Sequence, residues 1–283
     1  MLPTSLEEAL SALAEYGSEA KVLAGGQSLI PLMSLRLAQP GVLVDLNGLG
    51  ALSGIEANGS GVRIGAMTRH RAAERSEVLA ERVPLMAEAM PLIGHAAIRS
   101  RGTIGGSLSH ADPAAELPAV ALATEATLIA RSLRGGERTI PASEFFEGYF
   151  TTVLAEDEIL CAVEVPAAPP STGFCVTEVA RRHGDFALVG VTAAVTIDQG
   201  LVTRARIALI NVAERPVRAE QAEAALVGAK PEAAAWAEAA AVASSEIDPS
   251  GDLHATPAYR RKVARVCVKR ALETAARRVG GGR

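Results

Sequence analysis

Two stretches of different pattern predict a two-part α+β chain. Up to about residue 165, short apolar strands alternate with helical segments and glycine turns; from residue 174, three strands are followed by three helices. The run Pro166-Ala-Ala-Pro169-Pro170-Ser171 separates them, because proline fixes φ and removes backbone donors. Domains are therefore expected at 1–168 and 172–279.

The first element is a helix. Thr4 and Glu7 have capping-box spacing, and Leu6, Ala9, Leu10, Leu13 and Ala14 form one apolar face up to Gly17. Lys21–Ala24, 42–46 (VLVDL) and 62–66 (VRIGA) read as short strands. Residues 78–98 are helical in pattern, with Pro84 and Pro91 shortening or kinking the segment. The Ala-rich run 119–130 fits strand and helix equally, and 159–165 (ILCAVEV) reads as a strand. Beyond the linker, strands are expected over 174–180, 188–197 and 203–212. Helices follow over Val217–Val227, over 231–245, and from Pro257 to just before Gly280. The tail from Arg277-Arg278 to Arg283 is expected to fray.

Composition excludes several function classes. The 283 residues carry a net charge of −4 and only 3% aromatics, so neither the basic footprint nor the stacking platform of a nucleic-acid binder is present. With 49% apolar and 21% charged residues the chain can bury a sizeable core. Cys161, Cys175 and Cys267 form no CxxC, so the chain supplies no iron–sulfur or zinc site by itself, and the sparse, odd count fits a reducing, cytoplasmic compartment. No apolar run is long enough to span a bilayer, and Glu7 and Glu8 interrupt any signal-peptide pattern. GxxxxGK[ST], GxGxxG, GxSxG and HExxH are all missing, and the five histidines are scattered.

The informative residues are two glycine clusters, Ala24-Gly25-Gly26-Gln27-Ser28-Leu29 and Thr103-Ile104-Gly105-Gly106-Ser107-Leu108. Paired glycines reach positive φ and let a ligand approach the backbone, so each cluster can form a concave row of amides suited to an anion. Ser28, Thr103, Ser107 and the Gln27 amide can add donors, and two such rows suit two linked phosphates. A plain tight turn explains either cluster alone.

AGGQSLIPLM (Ala24–Met33) and TIGGSLSHADPAAELP (Thr103–Pro118) resemble the two signatures of the FAD-binding medium subunit of molybdenum hydroxylases. That family holds the carbon monoxide dehydrogenase medium subunit and the xanthine dehydrogenase flavin domain. VDLNGL (Val44–Leu49), IGAMTRH (Ile64–His70), EILCAVEVP (Glu158–Pro166) and RRHGDFALVGVTAAV (Arg181–Val195) extend the resemblance over nearly the whole chain. It implies a vanillyl-alcohol-oxidase (PCMH)-type FAD-binding domain followed by the family's C-terminal α+β domain. It implies a first loop, Val22, Leu23, Ala24, Gly25, Gly26, Gln27, Ser28, Leu29 and Ile30, wrapping the diphosphate of a non-covalent FAD. Thr103, Ile104, Gly105, Gly106 and Ser107 would cover the other side. Glu116 or Asp112 would bind the adenosine, Leu160 would pack near the flavin ring, and Phe186 would flank it. Relatives begin with a further F-x-Y-like strand, whereas here Met1-Leu2-Pro3 leads almost directly into the first helix.

The resemblance also implies partners: a large molybdopterin subunit, a small subunit with two [2Fe–2S] clusters, and a dimer of such heterotrimers. Electrons would pass from those clusters through FAD to a quinone, oxygen or a nicotinamide. A stand-alone FAD oxidase or reductase of the same fold and a flavin-free assembly module remain as alternatives. Residue by residue, Asp45 and Asn47 read as a turn cap, Arg99 and Arg101 as added phosphate charge, and His110 as a packing histidine. Arg181 and Arg182 read as exposed arginines, and Phe186 reads as core when its local apolar run alone is considered.

Overall fold

The computed structural model describes residues 1–280. Helix α1 (Leu6–Tyr16) buries Ala9, Leu10, Ala12 and Leu13, and Gly17 ends it at φ +49°. Its capping box lies one residue later than the sequence spacing suggests. Ser5 Oγ accepts from Glu8 N at 3.1 Å, and the Glu8 carboxylate accepts from Thr4 N at 2.8 Å. Strands β1 (Ala20–Leu23) and β2 (Val42–Asp45) pair in parallel, with α2 (Leu29–Ser34) between them in the chain. Met1 lies along the outer edge of β2, its carbonyl accepting from Asp45 N. Together these elements close a small core around Leu10, Leu13, Val44 and Leu46, where each fully buried leucine contributes about 2 kcal/mol.

Strands β3 (Ile55–Asn58) and β4 (Gly61–Gly65) begin a second layer. Helices α3 (His70–Glu74), α4 (Glu77–Arg82), α5 (Pro84–Ala89), α6 (Ala96–Arg101), α7 (Ile104–His110) and α8 (Glu116–Ala123) follow. The single helix suggested over 78–98 is thus several short ones: Pro84 starts α5, and a 3-10 turn, Met90–Leu92, surrounds Pro91. The run 119–130 proves to be both structures, the end of α8 and the start of β5 (Thr127–Ser132). Strand β6 (Gly136–Pro141), helix α9 (Ala142–Phe145), the small β7 (Phe146–Gly148) and β8 (Thr151–Thr152), and β9 (Glu158–Pro166) complete this part. The sheet order is β3-β4-β9-β5-β6, antiparallel throughout.

The C-terminal sheet is β10 (Thr172–Val179), β11 (Val189–Asp198), β12 (Leu201–Ile210) and β13 (Val217–Arg218) in that order. Helices α10 (Glu220–Leu226), α11 (Ala233–Ser245) and α12 (Pro257–Arg278) follow. Period-two alternation sends Val189, Val191, Ala193 and Val195 of β11 into the core with these helices. The opposite face meets the first part: Thr192 is fully buried against the α8 carbonyl of Ala119, and Val176, Ala208 and Ile210 join the core of the five-stranded sheet. The linker therefore joins two units that share buried surface.

The last helix is anchored where fraying is expected. Arg278 bridges to Glu88 at 2.8 Å and donates to the Phe174 carbonyl, while residues 281–283 lie outside the described residues. Gly173 of β10 allows α12 to seat, since a Cβ there would stand 1.9 Å from the Ala275 carbonyl oxygen. Gly173→Ala should therefore cost about 1–3 kcal/mol of stability in urea unfolding. An unchanged midpoint would mean that α12 does not close on β10.

Candidate functional site

The two glycine clusters, 80 positions apart from Gly25 to Gly105, meet in space at the junction of the β1–β2 layer and the five-stranded sheet.

 The first pair lies in the turn after β1, and the second lies in the first turn of α7. A Cβ on Gly25 would stand 2.4 Å from the Arg101 carbonyl oxygen, and one on Gly106 would stand 3.4 Å from Ala24 Cβ. The absence of side chains is what lets the two segments touch.

The clusters differ in what their amides do. In the first, Val22 and Leu23 end β1, Gly26 turns the chain at φ +74°, and Leu29 and Ile30 open α2. Three successive carbonyls are held: Ala24 by Asn47 Nδ2 at 3.0 Å, Gly25 by Gln27 Nε2 at 3.1 Å, and Gly26 by Ile30 N at 3.1 Å. No peptide among the described residues is cis, so the amides that follow point the opposite way. Those of Gly25, Gly26, Gln27 and Ser28 have no acceptor among the described residues. The Gln27 side chain thus braces its own loop instead of reaching for a ligand.

The second cluster is not an amide row. Ile104 N donates to Thr68 O, Gly105 N to Ala66 O, Gly106 N to Thr103 Oγ1 and Ser107 N to Thr103 O. Thr103 is the N-cap of α7, and its two glycines serve close packing: a Cβ on Gly105 would meet Ala66 Cβ at 2.4 Å. What this side can offer a ligand is the hydroxyl of Ser107 and the smooth backbone beside Ala24.

The remaining residues fall in several places. Asp112 caps its own turn, accepting from Ala114 N at 2.8 Å. Glu116 starts α8 and is 6% exposed; burial, with Glu178 and Asp112 nearby, pushes its carboxyl up to about 8. Glu178, across the domain junction on β10, is pushed up to about 7 by burial. Leu160 faces the core, opposite Ala130, and its strand stands behind the second cluster through Cys161 O, which accepts from Ala66 N. Phe186 is 63% exposed, so the core reading of its apolar run fails. Its loop lies on the segment leading into α6, where His183 stacks on His95 with centroids 6.4 Å apart.

Arg99 does not supply phosphate charge. It is buried and paired with Glu74 at 3.1 Å, and it also donates to the Ile93 and Gly94 carbonyls. His110 packs as a ring, 5.0 Å from Phe150, and Arg182 pairs with Asp185. His70, buried against the Thr103 carbonyl, is drawn down to about 4 by desolvation. Asn47 of VDLNGL and Arg69 of IGAMTRH reach the two glycine segments through contacts that no local sequence pattern signals. A cleft of about 570 Å³ beside α1, lined by Arg63, Arg131 and Cys161, includes neither cluster.

Buried carboxyls and a buried histidine set the pH dependence, with Glu178 adding an alkaline decline between about 4.5 and about 7. Folded Glu116 keeps a proton that the unfolded chain releases near 4.5, so its contribution falls as pH rises from about 4.5 to about 8. Folded His70 refuses a proton that the unfolded chain takes near 6.5, so stability also falls on acidification from 6.5 to about 4. Thermal melts of Glu116→Gln should show a shallower alkaline decline, with the part due to Glu178 remaining, and should keep the acid one. An alkaline decline identical to that of the unsubstituted chain would contradict a buried, protonated Glu116.

Residues 1–168 match the FAD binding domain in molybdopterin dehydrogenase, and residues 174–275 match the CO dehydrogenase flavoprotein C-terminal domain. The chain is 41% identical to the 6-hydroxypseudooxynicotine dehydrogenase complex subunit alpha of Paenarthrobacter nicotinovorans, over 97% of this chain and 93% of that one. It is 40% identical to the carbon monoxide dehydrogenase medium chain of Hydrogenophaga pseudoflava, over 96% and 95%. A solved carbon monoxide dehydrogenase from that organism superposes with TM-score 0.96 at 42% identity, covering 99% of this chain and 97% of that one. Quinoline 2-oxidoreductase from Pseudomonas putida 86 superposes at 0.93 with 36% identity, covering 98% and 95%. With its touching glycine segments and both domain matches, the chain belongs to the family of FAD-binding medium subunits of molybdenum hydroxylases.

Proposed function

We propose that this chain is the electron-transfer subunit of a cytoplasmic heterotrimeric molybdenum hydroxylase, presenting non-covalent FAD between the [2Fe–2S] clusters of a small subunit and an external acceptor. A large molybdopterin subunit would carry the hydroxylation, and two heterotrimers would pair. The observation that carries the reading is the first loop, whose four amides from Gly25 to Ser28 have no acceptor among the described residues and which the second glycine segment touches at Gly25 and Ala24.

These residues fit FAD. A diphosphate asks for open N–H donors and close backbone approach, and Gly25 to Ser28 offer both. Hydrogen bonds to a charged group are worth about 1.5–3 kcal/mol each, so a few of them suffice for retention. FAD, when bound, connects one-electron centres to a two-electron acceptor. The chain's own residues do the rest. Gly26 sets the turn, Ser28 and Ser107 add hydroxyls, and Glu116, protonated near neutrality, can donate to the adenosine, with Asp112 as the alternative. Leu160 backs the second segment from the core, and Phe186 stands free on a loop that can flank the ring.

A stand-alone oxidase would need an acid or base open to substrate. His70, the histidine beside the second segment, is buried and closed to substrate, which favours the subunit reading. Relatives 36–41% identical are named for 6-hydroxypseudooxynicotine, caffeine, carbon monoxide, nicotine and glyceraldehyde. That spread on one architecture supports substrate choice on another subunit.

Purified chain should hold about one FAD, and co-expression with its partners should give a three-chain complex by native mass. A colourless protein, or full dehydrogenase activity from the isolated chain, would overturn the reading. Gly26→Val, strained at positive φ by about 1–3 kcal/mol, should lose FAD while remaining folded. Stoichiometric flavin in a folded Gly26→Val would show that the loop does not hold the diphosphate.

A further inference from the structure

Asn47 and Arg69 make a chain of contacts that joins the two glycine segments. Asn47 follows β2 and is held by Asp45, whose Oδ1 accepts from Asn47 N at 2.9 Å. Its Nδ2 donates to the Ala24 carbonyl at 3.0 Å, and its Oδ1 accepts from an Arg69 terminal nitrogen at 2.7 Å. The other terminal nitrogen of Arg69 donates to the Arg101 carbonyl, the oxygen against which Gly25 packs. The Arg69 backbone forms an isolated bridge with Thr103, and His70 N donates to Gly102 O at 2.9 Å.

We propose that Asn47 and Arg69 are positioning residues for the diphosphate: a clasp that fixes the Ala24–Gly25 peptide, so that the Gly25 amide faces the ligand, and locks the first loop onto the second segment. The inference rests on the FAD reading above. A trans peptide whose carbonyl is tied to Asn47 cannot turn its N–H away from the ligand side. Arg69 suits the role because its planar fork serves two acceptors at once, which a lysine does less well. Preset amides need no ordering when the ligand arrives, so the clasp acts on affinity through preorganisation.

The test is titration of the full-length apo-chain with FAD, ADP and riboflavin, for the unsubstituted protein, Asn47→Ala, Arg69→Met and the double variant. Asn47 is exposed, so its truncation leaves the core untouched even if Arg69→Met folds poorly. Each single variant should weaken FAD and ADP by roughly tenfold or more, the scale of one misdirected amide–phosphate bond. Riboflavin, which has no diphosphate, should bind as before. The double variant should be no worse than about the weaker single one, because the two side chains act as one unit. If the unsubstituted chain binds FAD but both variants bind it equally well, the clasp is wrong and the FAD reading stands. Equal weakening of riboflavin would likewise overturn it, by showing general damage to the fold. If the unsubstituted chain binds neither FAD nor ADP, the FAD reading falls and the clasp falls with it.

Discussion

The site depends on the contact between two stretches of bare backbone. Gly25 lies on the Arg101 carbonyl, and Gly106 lies beside Ala24, at separations that no Cβ on Gly25 would allow. That contact sets where the first loop can go. With Ala24, Gly25 and Gly26 carbonyls tied back, the loop's amides have one direction left. The anion-binding character of the loop is therefore a consequence of carbonyl partners as much as of glycine.

The same economy of function separates the two segments. The first keeps its amides open, while the second uses its own on Thr68, Ala66 and Thr103 and is rigid as a result. A flexible pair of loops would have to be ordered at each binding event; here one side is already fixed and the other is strapped to it. The C-terminal sheet adds a second constraint. Its inner face is buried against α8, which brings Glu178 towards Glu116 and sets the Phe186 loop on His95.

Much of this was legible in the sequence. The strands 174–180, 188–197 and 203–212 and the helix from Pro257 were readable because alternation and capping residues are local signals. The two glycine signatures identified the family. What local reading missed has physical reasons. The capping box slipped by one residue because Thr4 and Ser5 are both competent caps. Thr103–Ser107 looked like an anion nest because glycine content cannot tell an open amide from one taken by a distant carbonyl such as Ala66 O. Arg99 looked available because its partner Glu74 lies 25 positions away, and Asn47 looked like a simple turn cap because its second contact, Ala24, lies 23 positions away.

Hydrogen exchange tests the central claim most directly, read by mass spectrometry on peptides covering residues 20–34 and 103–112 with and without FAD. The account predicts strong protection of the Gly25–Ser28 amides on binding and little change at Ile104–Ser107, whose amides already have acceptors. New protection confined to the second segment, with the first unaffected, would contradict it.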